Sequence, residues 1–311
     1  MTLLQILLQM VLALVLAPLV NGFIRKCKAL LQNRRGPGLL QPYFDLFKLL
    51  RKGTVVSQHA SWIFRVTPYI AFLTALMVAL MIPMVTTAVP LSLFGGVIAV
   101  IYLLALGRFF LALAALDTAS AFGGMGSSRE MTVAAISEPA MMLSIFSVAI
   151  TAGSTNLSQV VQSTLQHQEQ FLSPAHILAF AAMFIVLIAE TGRIPIDNPA
   201  THLELTMIHE AMILEYSGHY LALIEWGVAL KQLVMMTLLV NIFVPVGVGS
   251  AFTAASLAKG LAAFLSKLLL LALAVVLVET SNAKLRLFRV PELLSVAFIL
   301  ALLALASPFI F

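Results

Sequence analysis

The sequence predicts an all-α, polytopic membrane protein with eight transmembrane helices and one amphipathic helix at the interface. Two observations carry that prediction. Eight mostly apolar stretches are each long enough to cross a bilayer, which takes about 20 residues. Among the connections between them, basic residues fall only in alternate ones. Composition agrees: 61% of the 311 residues are hydrophobic and 10% are charged, against about 25% in an ordinary soluble domain. A soluble globular enzyme, a disordered chain and a nucleic-acid binder are thereby excluded. The net charge of +5 reports membrane orientation rather than a nucleic-acid partner.

The stretches run over about 2–24, 66–88, 91–116, 130–152, 174–191, 222–246, 254–279 and 291–311, in one integral membrane domain spanning 1–311. Pro83, Pro90, Gly95 and Gly96 mark the break between the second and third. Met1 to Val20 has no basic leader and a basic segment behind it, so it reads as a retained first helix rather than a cleaved signal. The loop 25–65 holds Arg25, Lys26, Lys28, Arg34, Arg35, Lys48, Arg51, Lys52 and Arg65 against the single acid Asp45. Arg129, Arg193 and the group Lys284, Arg286 and Arg289 mark the loops 117–129, 192–221 and 280–290. The connections near 89–91, 153–173 and 247–253 carry no Lys or Arg. By the positive-inside rule the basic loops are cytoplasmic and both termini are outside. Cys27 is the only cysteine, which excludes an intrachain disulfide, a Cys₄ iron–sulfur cluster and a zinc ribbon. Redox chemistry therefore belongs to a partner or a bound cofactor.

In the first cytoplasmic loop, Asn33 to Gly38 is a turn signal containing Arg34 and Arg35. From Gln41 to Lys52 the chain is amphipathic. Asp45, Lys48 and Lys52 share one face, and Tyr43, Phe47 and Leu50 the other. Such a helix lies at the interface, as an anchor or as the floor for a docked partner. Arg34 and Arg35 suit a partner's carboxylates or lipid phosphates.

Acids within the crossings are the next signal. A charge at the bilayer centre costs about 2.5–3.5 kcal/mol on insertion scales, so such residues face a polar interior. Glu130, Glu138, Glu190, Glu204, Glu215 and Glu225 lie in or beside the fourth to sixth stretches, with only Arg108, Arg129, Arg193 and Lys231 near in sequence. That imbalance, and the tendency of buried carboxyls to hold protons, suits a proton relay. For Lys267, Glu279 and Glu292, ion pairing that fixes packing is the simpler role. The loop 192–221 is dense in polar groups. Pro195 and Pro199 make its start irregular, and Asp197 or Asn198 can cap a helix behind them. If 200–216 is helical, Glu204 and Glu215 share a face about three turns apart. His202 and His209 match no metal-ligand spacing and read as solvated or acid-paired. Gly123-Gly124-Met125-Gly126 reads as a flexible turn before the fourth helix, because it lacks the strand and lysine of a phosphate loop. The outer loop 153–173 reads as plain and polar.

Several motifs then occur in one order. They are Arg34 to Gly38, Gln41 with Asp45 and Lys48, Leu116-Asp117-Thr118, Ser128-Arg129-Glu130, Glu138-Pro139, Glu190 to Asp197, Glu215 to Gly218, and Trp226 with Lys231-Gln232. Over essentially its whole length the chain resembles the eight-helix membrane subunit shared by respiratory complex I and the group 4 membrane-bound [NiFe] hydrogenases. It is most similar to the hydrogenase-4 and formate hydrogenlyase branch. The resemblance implies a non-catalytic subunit of an oxidoreductase complex in a bacterial or archaeal cytoplasmic (inner) membrane. It would sit under a cytoplasmic arm of a small iron–sulfur subunit and a large nickel–iron subunit, and join them to antiporter-like membrane subunits. The nickel–iron centre and iron–sulfur clusters would belong to those partners, with none in this chain. Hydrogen redox chemistry there would drive proton or sodium translocation here. Glu130, Glu138, Glu190, Asp197, Glu204, Glu215, Glu225 and Lys231 would correspond to the family's proton path. Arg25, Arg34, Arg35, Asp45, Arg129, Arg193 and Glu210 would dock the arm. The alternative is the quinone-binding subunit of a complex I relative. It is disfavoured by the stretch Asn198 to Glu204, where complex I usually carries an acid-rich run and only Glu204 is acidic here.

Overall fold

The computed structural model describes residues 2–87, 89, 91, 95–167, 171–198, 207–249 and 254–310. Its elements in chain order are α1 (Thr2–Leu31), α2 (Gln41–Arg51), α3 (Trp62–Met81), α4 (Val97–Asp117), α5 (Ala121–Ala152), α6 (Leu157–Gln166), α7 (Pro174–Glu190), α8 (His209–Ile213), α9 (Gly218–Phe243), α10 (Ala254–Ser281) and α11 (Val290–Ile310). Helices prevail because a chain this apolar must satisfy its backbone groups internally. Among the described residues, seven helices are long and apolar enough to cross a membrane. The 17-residue α7 is equally apolar but shorter. Local chemistry sets several ends. The Ser61 and Ser173 hydroxyls accept from the Ile63 and His176 amides at the starts of α3 and α7. Gly153, at φ +66°, closes α5 in the left-handed conformation.

The centre of the bundle is α9, buried almost continuously from Ala229 to Phe243. It packs on α3, α1 and α2 on one side and α7 on the other. The α5 helix is clasped by α4, α7 and α11, while α10 lies outside against α1. The start of α9 is tied to the loop after α2. The Ser217 hydroxyl accepts from the Val55 amide at 2.8 Å and donates to its carbonyl at 3.1 Å. Gly218, at φ +56°, sits where a Cβ would be 2.6 Å from the Gly53 carbonyl oxygen.

Several expectations are corrected. The segment Gly123-Gly124-Met125-Gly126 is no flexible turn but lies inside α5, which starts at Ala121 rather than near 130. These glycines serve close approach: a Cβ on Gly123 would meet the Ala115 carbonyl oxygen at 2.3 Å, and one on Gly126 would meet Ala211 Cβ at 2.9 Å. The Ser127 hydroxyl adds bonds to the carbonyls of Gly123 and Ala112. The first crossing extends to Leu31, and the second runs from Trp62 to Met81, ending just ahead of Pro83. The outer loop contains α6, whose Leu157, Val160, Val161 and Thr164 are buried at helical spacing. In α2, Tyr43 turns inward and its hydroxyl donates to the Val15 carbonyl, whereas Phe44, Phe47 and Leu50 stay exposed. The helix considered over 200–216 is confined, among the described residues, to His209–Ile213. Residues 199–206, with His202 and Glu204, lie outside the described residues.

Candidate functional site

Four helices bring charge together in the bundle interior. Arg108, on α4, has a side chain only 4% exposed. Its Nη1 donates to Glu138 Oε1 at 2.5 Å, its Nη2 donates to Glu190 Oε2, and its Nε lies 3.5 Å from Glu130 Oε1. Glu130 and Glu138 come from one face of α5, just over two turns apart, and Glu190 is the last residue of α7. From α9, Lys231 Nζ reaches Glu190 Oε2 at 2.9 Å, and the Ser137 hydroxyl donates to Glu190 Oε1 at 2.6 Å. Three carboxyls face two basic side chains, Arg108 and Lys231. The set carries one excess negative charge when fully ionised and is neutral when one carboxyl holds a proton. Removing an unmatched charge from water costs several kcal/mol, which favours the neutral set.

Space for water adjoins the cluster. A cavity of about 30 Å³ is lined by Glu130, Glu190, Asp197, His209, Lys231 and Gln232. A second, of about 50 Å³, is lined by Arg108, Glu130, His209 and Lys231. A third, of about 90 Å³, lies beneath α2 and is lined by Asn21, Arg25, Asp45, His209, Glu210 and Glu225. A space of roughly 10–15 Å³ or more is large enough for a water where polar groups can bind it, and each of the three has that room beside charged side chains.

A second buried ion network lies nearby. Glu279 on α10 takes Arg193 Nη1 on Oε1 at 3.1 Å and Lys28 Nζ on Oε2 at 2.8 Å. Arg193 Nη2 also donates to Asn21 Oδ1 at 2.9 Å and Gln232 Oε1 at 2.7 Å. Burial pushes the Arg193 guanidinium below its ordinary range, against the opposing pull of Glu279. Lys284 pairs with buried Asp197 at 2.8 Å, whose other oxygen accepts from the Ile208 and His209 amides. Asp197 thereby fixes the start of α8.

The predicted path residues that are described, all but Glu204, thus fall into three groups. Glu130, Glu138, Glu190 and Lys231 meet at Arg108, with Asp197 on the adjoining cavity wall. Glu225 is separate, at the 90 Å³ cavity. Glu215 is exposed, beyond the end of α8, and joins neither group. Of the predicted docking residues, Arg25, Arg34 and Arg35 are exposed, while Asp45 and Glu210 line the outer cavity. Arg129 donates to the Met207 carbonyl at 2.9 Å. Arg193 is turned inward to Glu279 and is no docking surface, because its guanidinium is used up inside the bundle. The hub Arg108 was missing from the expected path. Its signal was a single arginine within the apolar run 91–116 of a chain rich in membrane acids. Among the described residues, no group of three or more His, Cys, Asp or Glu side chains could hold a metal ion.

Comparison with known proteins gives the family of the chain. The family described as NADH dehydrogenase matches residues 4–308. Formate hydrogenlyase subunit 4 of Escherichia coli (strain K12) is 38% identical over 307 residues, 99% of each chain. Hydrogenase-4 component C of the same organism is 36% identical, over 95% of this chain and 92% of the relative. A chain from the structure of the membrane-bound sulfane sulfur reductase, an archaeal respiratory membrane complex, superposes with a TM-score of 0.82. It covers 97% of this chain and 99% of its own length at 23% identity, a likeness of fold. The chain is therefore a multi-pass membrane protein belonging to the NADH dehydrogenase family, similar over its full length to formate hydrogenlyase subunit 4.

Proposed function

We propose that this chain is the membrane anchor and ion-coupling subunit of a membrane-bound hydrogenase complex. The observation that carries the reading is the Arg108 cluster, which is one proton from neutrality and bordered by water-sized cavities. Nothing in a merely packed bundle calls for three carboxyls around one arginine. In this reading the exposed Arg25, Arg34 and Arg35 and the edge of the outer cavity face a cytoplasmic arm with nickel–iron and iron–sulfur subunits. Those groups supply proton reduction or hydrogen oxidation. This chain's own residues hold and release a proton at the carboxyls of Glu130, Glu138 and Glu190 as the charge above them changes. Arg108 and Lys231 decide which carboxyl ionises. The Glu138 side chain is 31% exposed, so it is the member through which a neighbouring antiporter-like subunit would be addressed. The membrane would be a bacterial or archaeal cytoplasmic membrane, with the basic loops on the cytoplasmic side.

A quinone-reducing assembly is the competing reading, suggested by the family. A bound ring is held in mostly apolar surroundings by a few polar groups. The 90 Å³ cavity instead carries Arg25, Asp45, Glu210 and Glu225, which does not fit a quinone headgroup with its apolar tail. The test is to isolate the assembly through a tag on this chain and assay it in vesicles. A nickel-containing subunit should co-purify. Glu138→Gln should keep viologen-linked hydrogenase turnover while losing most of the pH gradient formed per turnover. A nickel-free, quinone-reducing assembly, or a Glu138→Gln variant that couples normally, overturns the reading.

A further inference from the structure

His209 is the point where the three cavities meet. It opens α8, and its amide donates to Asp197 Oδ2 at 3.3 Å, which Lys284 holds from the other side. The backbone at His209 is thus anchored to the Asp197–Lys284 ion pair. His209 borders the 90 Å³ cavity with Arg25, Asp45, Glu210 and Glu225, and also both smaller cavities with Glu130 and Lys231. Among the described residues, only His209 and Val228 line all three spaces, and only His209 carries a titratable group. Its Nε2 is buried and has no hydrogen-bond partner among the described residues. A buried imidazole nitrogen without a partner loses on the order of 1–3 kcal/mol, so a lone Nε2 beside polar cavities is best satisfied by water within them.

We infer that His209 is the proton-transferring junction between the outer cavity and the Arg108 cluster. The inference rests on the coupling role proposed above and names the residue through which it is reached. Among the described residues, the outer space and the inner pair share no other group able to take up and release a proton. In one passage, a proton on a water or carboxyl of the Glu210 and Glu225 cavity moves to the imidazole, giving the imidazolium. A proton then leaves the ring for water beside Glu130, and the neutral imidazole returns. One proton enters and one leaves, and no other bond changes. Ring reorientation or exchange between the ring's two nitrogens resets the site, and the process runs equally in reverse. Val228, the other residue common to the three linings among the described residues, is the apolar part of the same wall.

The experiment uses the whole complex in inverted membrane vesicles, with His209→Gln and His209→Ala compared with wild type and with Glu138→Gln. Each is read by viologen-linked turnover, by co-purifying subunits and by the initial rate of pH-gradient formation per turnover. His209→Gln is expected to assemble and turn over normally but to lose roughly tenfold or more in gradient per turnover, within reach of a positioned proton-transfer group. Added imidazole should restore His209→Ala, an outcome that a purely structural role would not produce. Normal coupling in His209→Gln overturns the inference, as does a coupling loss in His209→Ala that imidazole leaves unchanged. If Glu138→Gln uncouples while both His209 variants couple, the junction is wrong and the cluster's role stands. Should Glu138→Gln couple normally, it is the underlying reading that fails.

Discussion

Two buried ion networks sit side by side in this bundle and are built on opposite principles. Around Arg108, three carboxyls meet two bases, and the surrounding space admits water. Around Glu279, one carboxyl meets two bases, and the excess donors on Arg193 are taken up by the Asn21 and Gln232 amide oxygens. The first set can be neutralised by adding a proton. The second cannot discharge Arg193, because a guanidinium does not deprotonate in proteins. Charge count therefore separates a set that reaches neutrality by gaining a proton from one that would have to lose a proton from Lys28 and whose central base keeps its charge. The second joins α1, the loop after α7, α9 and α10 through Lys28, Arg193, Gln232 and Glu279.

The largest effect should follow from breaking the clamp. Glu279→Leu strands Arg193 and leaves Lys28 without its acid. Loss of one partner from a buried pair costs about 3–5 kcal/mol, and no proton movement relieves Arg193. Reduced accumulation of the chain and a lowered unfolding midpoint in detergent are expected. A Glu279→Leu protein that accumulates and melts like wild type would show that the clamp adds no stability.

The corresponding cut in the other network should be milder for stability and more damaging for coupling. Arg108→Met leaves Glu130, Glu138 and Glu190 with Lys231 alone, but carboxyls can escape by taking up protons. A loss of about 1–3 kcal/mol is expected, in the range of an unsatisfied buried polar group. The protons so acquired are then held, so the pH gradient formed per turnover should fall to near background while viologen-linked hydrogenase turnover persists. Stability losses in Arg108→Met equal to those of Glu279→Leu, with coupling intact, would erase the distinction between the networks.

The same contrast explains what the sequence could disclose. The crossings were legible because length and apolarity act locally: a run such as 222–246 has nowhere else to go. The gathering of acids near the fourth to sixth crossings was also legible, because α5, α7 and α9 are the helices that carry Glu130, Glu138, Glu190 and Lys231. The arginine that joins them was not, since Arg108 and Glu190 are 82 residues apart in the chain and spacing rules reach only a few turns. Glycine misled in the opposite direction. Gly123 and Gly126 carry the signature of a turn, yet here they allow α5 to press against Ala115 and Ala211. The buried stripe of α6 was hidden by a polar composition. In 153–173 the Gln, Ser, Thr and Asn residues outnumber the few aliphatics that do the packing.

The smallest expected effect is the sharpest check on the boundary between interior and surface. By spacing, Glu215 belonged with the acids of the path, stacked over Glu204 on a continuous helix. Instead α8 ends at Ile213, and the chain turns so that Tyr216 is buried and stacks on Phe64 with ring centroids 3.9 Å apart. The Tyr216 hydroxyl donates to the Phe64 carbonyl at 3.0 Å, and burial pushes it above its ordinary range. Anchoring Tyr216 inward leaves its neighbour Glu215 exposed. An exposed carboxyl is solvated without the cavities. Glu215→Gln should therefore change stability by no more than about 0.5 kcal/mol and leave the pH gradient per turnover at the wild-type value. Measured beside Glu138→Gln in the same vesicles, a matching loss in both would move the start of the proton path outward, to the turn between α8 and α9. It would also overturn the separation of Glu215 from the buried acids.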